Sequence, residues 1–158
     1  MVRIEMEDGG VITIELDHDA APKTVENFEK LVREGFYDGL IFHRVIRGFM
    51  IQGGDPTGTG MGGADENIVG EFALNGHPNP ISHKRGVISM ARAQDFNSAS
   101  SQFFIVHEDA PYHDEQYAAF GHVVDGMDIV DEIANVPTGY MDRPRTDMRM
   151  KKVTLVED

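Results

Sequence analysis

The group best placed to do chemistry is Arg44, which lies in the run Phe42-His43-Arg44-Val45-Ile46-Arg47-Gly48-Phe49-Met50-Ile51-Gln52-Gly53-Gly54-Asp55. A guanidinium is permanently charged and presents a planar fork of donors. It stands two residues after an aromatic, on the same face if this segment is a strand. Phe49, Met50 and Gln52 follow across a short turn at Gly48, so the segment can gather a cation, two apolar side chains and an amide. The residues alone leave two readings open. Arg44 is either a donor in an active site or a core arginine satisfied by carbonyls or a carboxylate, with Phe49 and Met50 as ordinary packing.

Other chemistry-bearing residues offer less. The glycine-rich run 53–63 lacks the Lys-Ser or Lys-Thr ending and the following helix of a phosphate loop, so it reads as a loop that lets backbone approach something closely. Seven histidines are scattered along the chain. The nearest pairs, His77 with His83 and His107 with His113, lack the spacing of zinc ligands. Ser98, Ser100 and Ser101 lie in a polar turn suited to backbone hydrogen bonds, with no nucleophile elbow. With no cysteine there is no disulfide, thiolate nucleophile or Cys-based zinc site. What remains is a neutral and apolar set around a cation: Arg44, Phe49, Met50, Gln52, Ala91, Arg92, Gln102 and Phe104. That set asks for no cofactor and no metal.

These residues must be positioned by short strands. Val2, Ile4 and Met6 alternate with charged residues, Asp8-Gly9-Gly10 gives a turn, and Ile12, Ile14 and Leu16 resume the alternation, which predicts a β-hairpin. Helical spacing of Val25, Phe28, Leu31 and Val32, with Pro22 at the start and Gly35 as a stop, predicts a helix over 22–34. Apolar runs at 40–45, 49–53, 86–91, 102–107 and 119–124 read as strands, and Met148, Met150, Val153 and Leu155 as a last one. Met127, Val130 and Ile133 suit a second, shorter helix. The stretches 55–67 and 75–85 are long and irregular, as functional loops are. About eight strands and two helices predict a mostly β fold, a closed eight-stranded antiparallel barrel capped by two α-helices. Eight strands leave an interior filled by side chains, which puts any site on the outer wall.

At 158 residues, 41% of them hydrophobic, the chain is expected to form one domain over residues 1–158. No apolar run approaches the roughly 20 residues of a membrane helix. The N-terminus alternates apolar and charged residues without the pattern of a signal peptide, so a cytoplasmic location is expected. A net charge of −13, from 27 acidic and 14 basic residues, argues against nonspecific binding to nucleic acid or anionic membranes. The acidity also suits a salty cytoplasm.

Four motifs in order carry a resemblance: the run 42–55 quoted above, Gly86-Val87-Ile88-Ser89-Met90-Ala91-Arg92, Ser100-Ser101-Gln102-Phe103-Phe104-Ile105, and Phe120-Gly121-His122-Val123-Val124-Asp125-Gly126-Met127. The chain resembles the cyclophilin-type peptidyl-prolyl cis/trans isomerases almost end to end. The resemblance implies the capped barrel, an isomerase that assists protein folding, and proline-containing polypeptides as partners of a monomer. It further implies that Arg44 is the catalytic arginine, and that Phe49, Met50 and Phe104 form the pocket for the proline ring. Gln52 and Gln102 would hold the substrate backbone, and Ala91 and Arg92 would pair with the bound peptide. Arg92 stands where the family often has Asn, at a position expected to act largely through its backbone. Tyr112 stands where many members have Trp, His113 where they have an apolar residue, and Tyr117 where a His is common. The chain has no Trp, so the resemblance implies weakened binding of cyclosporin. Arg47 replaces a usual Pro and suggests a bias toward acidic peptides. A prolyl-peptide binding module of the same fold, with little turnover, would not need Arg44.

Overall fold

The computed structural model describes residues 1–156. Alternation in the first strands has the expected consequence. In β1 (Val2–Met6) the apolar residues Val2, Ile4 and Met6 are buried and Arg3 is exposed, and β2 (Val11–Leu16) turns Ile12 and Ile14 inward. Gly9, at φ 97°, takes the left-handed conformation that the connecting turn needs. Helix α1 runs Pro22–Arg33, with Pro22 in its first turn. Its N-terminus has no side-chain cap of its own. Instead the buried Glu71 accepts from the Thr24 amide and hydroxyl at 2.6 and 2.7 Å, a local cap supplied from 47 residues away.

The remaining elements are β3 (Arg44–Ile46), β4 (Met50–Gly53), β5 (Val87–Met90), β6 (Phe103–Val106), β7 (Ala119–Asp125), α2 (Met127–Ala134) and β8 (Met150–Leu155). The expected strands and helices are present, within a few residues of their predicted ends. Three short 3-10 turns, Ala73–Asn75, Pro111–His113 and Tyr140–Asp142, were not expected. All strand pairs are antiparallel, and the sheet order is β3-β4-β6-β5-β7-β2-β1-β8. Strands β3 and β8 end this order without pairing directly. Backbone bonds span the seam from the segment just before β3: Gly39 N to Met150 O at 2.8 Å, Met150 N to Leu40 O at 2.8 Å, and Phe42 N to Met148 O at 3.0 Å.

Buried side chains from the strands and both helices fill one interior cluster. α1 inserts Val25, Phe28, Leu31 and Val32, and α2 adds Val130, Ile133 and Ala134. Phe28 meets Tyr37, Phe103 and Phe120 at ring separations of 5.1, 5.6 and 5.1 Å. An interior filled in this way leaves the outer wall for a ligand. A second, smaller apolar cluster lies there, built on Met50, Val87, Phe104, Val106, Ala110 and Ala119. Among the described residues no helix is long and apolar enough to cross a membrane.

Candidate active site

Strand register assembles the site. Arg44 on β3 lies opposite Gln52 on β4, Gln52 opposite Phe104 on β6, and Phe104 opposite Ser89 on β5. One row of side chains therefore crosses four strands on a common face, and Met50, two residues before Gln52, shares that face. At this row a cavity of about 290 Å³ opens. It is lined by the polar side chains Arg44, Gln52 and Arg92, by Ala91, and by Phe49, Met50, Phe104, His113 and Tyr117.

Arg44 is exposed, and among the described residues its side chain makes no hydrogen bond or ion pair. This removes the reading of a satisfied core arginine, which requires burial and a partner. Gln52 is held in place: its Nε2 donates to Gln102 Oε1 at 2.9 Å. Gln102 Nε2 donates in turn to the carbonyls of Gly60 at 3.1 Å and Gly62 at 2.8 Å. Gln102 lies outside the first cavity, in an adjoining groove of about 280 Å³ that shares Gln52, Ala91 and Arg92 with it.

The glycine-rich loop carries those two carbonyls, and Asp55 organises it. Asp55 is 1% exposed. One carboxylate oxygen accepts from the Thr57 amide and hydroxyl, both at 2.8 Å. The other accepts from the amides of Gly60 at 2.7 Å and Gly62 at 3.0 Å. Burial pushes this carboxyl up, but the Gly62, Thr57 and Gly60 donors outweigh it and hold it down at about 2. Close backbone approach is also present: a Cβ on Gly54 would stand 2.5 Å from Ser101 O, on the segment entering β6.

Ala91 N donates to Gln102 O at 3.0 Å, whereas the backbone amide and carbonyl of Arg92 have no partner among the described residues. The Arg92 side chain does more than the sequence suggested. Its Nε and one terminal nitrogen donate to Gln116 O at 3.0 and 2.7 Å, and the other donates to Ala93 O at 2.9 Å. Its guanidinium also lies 4.8 to 5.0 Å from the ring centres of Phe72, Phe96 and Tyr117. Position 92 thus fixes Tyr117 and the loop after β5 through its side chain. Tyr112 is 64% exposed and stands at the rim, 6.3 Å ring to ring from Phe49 and 4.5 Å from His113. Arg47 is exposed in the turn after β3.

His113 completes an aromatic wall, 5.3 Å from Phe49, 6.1 Å from Phe104 and 4.8 Å from Tyr117. Burial and the nearby His83 lower its pKa, with Asp114 opposing them, so the ring faces the cavity neutral at neutral pH. Beneath it lies a network that sequence reasoning missed. His83, fully buried, is bonded through Nδ1 to Asp114 Oδ1 at 3.0 Å and through Nε2 to Ser89 Oγ at 2.9 Å. Its ring stacks on Phe104 at 6.0 Å and 20°. The order Ser-His-Asp suggests a nucleophile, but Ser89 is 0% exposed, so the network serves to fix Phe104 from behind. The one sequence signal was a serine inside the otherwise apolar run Val87-Ile88-Ser89-Met90.

The family model for cyclophilin type peptidyl-prolyl cis-trans isomerases matches residues 1–155. Peptidyl-prolyl cis-trans isomerase-like 1 of Neurospora crassa is 44% identical over 150 residues, covering 94% of this chain and 90% of that protein. Peptidyl-prolyl cis-trans isomerase B of Bacillus subtilis is 48% identical over 130 residues, covering 82% of this chain and 87% of that one. A cyclophilin type peptidyl-prolyl cis-trans isomerase of Cryptosporidium parvum, crystallised in the presence of the dipeptide Ala-Pro, superposes with a TM-score of 0.90 at 34% identity over 99% of both chains. Because the family match runs through every strand and both helices rather than through one stretch, the chain belongs to the cyclophilin-type peptidyl-prolyl cis-trans isomerase family, and it is an isomerase.

Proposed function

We propose that the Arg44 cavity is where X-Pro bonds are isomerised, by a hydrogen bond from the guanidinium to the prolyl amide. The observation that carries this reading is the state of Arg44: exposed, without a partner among the described residues, and lining a cavity that also holds Phe49, Met50 and Phe104. Rotation about an X-Pro bond is slow because amide resonance imposes a barrier of about 18 to 20 kcal/mol. Phe49, Met50, Phe104 and the neutral His113 would fix the proline ring and exclude water. Arg44 would donate toward the prolyl nitrogen as it becomes pyramidal, which stabilises the twisted amide over either planar isomer. Gln52, set by Gln102, and the open backbone groups of Arg92 would hold the flanking peptide. The step needs no covalent intermediate, metal or cofactor.

The substrates in this reading are proline-containing polypeptides, which the Ala-Pro present with the Cryptosporidium protein supports. The chain acts as one domain over residues 1–158, a cytoplasmic monomer assisting folding, with no nucleic-acid or membrane partner at its net charge of −13. Cyclosporin binds weakly because exposed Tyr112 stands in place of an indole. The test is a protease-coupled assay on an X-Pro peptide. Arg44→Ala lowers kcat/KM about 10²- to 10³-fold, the scale of losing one aimed donor, and leaves the melting temperature unchanged. Arg44→Lys keeps the charge, loses the planar fork and is also impaired. Wild-type turnover by Arg44→Ala would reject the mechanism.

A further inference from the structure

We propose that His107 is a positioning residue: as the neutral tautomer protonated on Nε2, it latches the β3–β4 turn and so sets the place of Phe49 in the cavity wall. His107 follows β6 directly and is 7% exposed. Two adjacent residues of the turn are tied to it. The Gly48 amide lies 2.9 Å from Nδ1, and the His107 amide donates to Phe49 O at 2.8 Å. A backbone amide can only donate, so Nδ1 must accept and the ring proton must sit on Nε2. Nε2 lies 3.1 Å from Asp131 Oδ1 on α2, an acceptor, as that tautomer requires. Gly48 has φ 82° and continues into Phe49, so the latched residue is the one that turns the chain into the pocket.

Asp131 is itself fixed by two nitrogens of Arg85, both at 2.7 Å. One of these also donates to His107 O at 3.0 Å. The charges facing the imidazole are thus Asp131 from α2 and Arg85 from the segment before β5, with Glu108 3.9 Å from Arg85 and Asp109 accepting the Arg85 amide at 2.8 Å. From the turn itself comes Arg47. None of them substitutes for Nδ1 as the acceptor for Gly48.

The inference rests on the pocket reading only through Phe49, and its first readout needs neither substrate nor variant. Long-range nitrogen–proton correlation spectra of the wild-type protein at neutral pH are expected to give the Nε2–H tautomer for His107. The Gly48 amide, which donates to Nδ1, should shift in resonance when His107→Gln removes that acceptor. His107→Gln, which leaves no acceptor at the Nδ1 position, should raise KM for an X-Pro peptide about five- to tenfold with kcat within about twofold, the scale of one hydrogen bond. His107→Asn places Oδ1 where Nδ1 was and does not titrate. It should restore most of the KM and the Gly48 shift, although it loses the donor to Asp131, which His107→Gln can keep through its amide nitrogen, and with it some thermal stability. An Nδ1–H tautomer in the wild type, or a Gly48 amide unmoved in His107→Gln, would overturn the latch whatever the activity shows. An intact latch with KM unchanged in His107→Gln would overturn its link to the pocket while leaving the Arg44 mechanism standing.

Discussion

Strands β1 and β6 belong to one sheet, yet β1 alternates buried Val2, Ile4 and Met6 with exposed Arg3, while all four residues of β6 are buried. β5 is likewise buried throughout. In an antiparallel barrel one face of each strand normally meets water, which produces the alternation seen in β1 and β2. On β5 and β6, Ile88, Met90, Phe103 and Ile105 fill the interior, whereas Val87, Phe104 and Val106 build the outer cluster. A strand that stops alternating therefore marks a covered outer wall. Here the cover is the wall of the candidate site, formed by His113, Tyr117 and the Arg92 clamp.

Neighbouring phenylalanines give the sharpest way to break this comparison. Phe103 faces the packed interior and touches Phe28 and Tyr37 at 5.6 and 5.5 Å. Phe104 faces the cavity. Phe103→Ala should cost about 3 to 5 kcal/mol of stability, the range for a large buried aromatic, with kcat/KM per folded molecule little changed. Phe104→Ala should cost less, because its site already opens to solvent. It should lower kcat/KM about 10- to 100-fold, which corresponds to the contact a ring supplies. Denaturant unfolding and the coupled assay read both quantities. Equal stability losses together with equal activity losses would dissolve the distinction between the faces.

Much of this division was legible in the sequence. The hairpin, both helices and the eight strands followed from periods of two and 3.6 and from glycine and proline punctuation, since each is a local pattern. The candidate row of Arg44, Gln52 and Phe104 was named from family motifs, because these residues lie within contiguous signatures, and the strand register does set them opposite one another. What could not be read was the support behind them. His83 meets Asp114 across 31 residues, Gly48 meets His107 across 59, and Arg85 meets Asp131 across 46. Such pairs have no spacing rule; only the folded register brings them together. The Arg92 side chain was undervalued for the same reason, since its partners are rings and carbonyls contributed by three separate loops.

Asp55 offers a smaller perturbation confined to the site half. Asp55→Asn leaves one acceptor oxygen and turns an NH₂ group toward amides that themselves donate. The expected loss is about 2 kcal/mol, with a lower kcat/KM as the Gly60 and Gly62 carbonyls release Gln102. The same carboxyl has a signature in acid. Its pKa is held at about 2 against an ordinary 3.8, so the stability it contributes is complete above pH 3.8 and is lost as pH falls toward 2.

A milder pH effect should appear earlier and come from the histidines. The pKa values of His43, His83 and His113 lie below the ordinary 6.5, in each case chiefly through burial. Below that pH the unfolded chain binds more protons than the folded one, so stability falls as pH drops through 6.5. Melting temperature measured from about pH 7 to 5 should decline, and His113→Leu should make the decline shallower by removing one titrating group. An unchanged slope in that variant would mean that His113 is not the shielded neutral ring in the cavity wall that its packing implies.

The smallest effect is expected on the half of the sheet whose outer face is open to water. Lys152 points outward from β8 with its side chain 60% exposed, and its Nζ lies 3.8 Å from Asp38 Oδ2. Exposed ion pairs gain little in high dielectric and lose side-chain entropy to hold their geometry. Lys152→Ala should therefore move the melting temperature by less than about 2 °C and leave turnover unchanged. Ser89 shows why the same truncation is not neutral on the other half. Outward from β5 it meets the buried His83 Nε2 at 2.9 Å, and Ser89→Ala would leave that nitrogen without a partner at a position closed to water beneath the cavity. Outward-facing positions of one sheet thus differ in tolerance because one half is covered and the other is not. A Lys152→Ala loss as large as that of Ser89→Ala would contradict it.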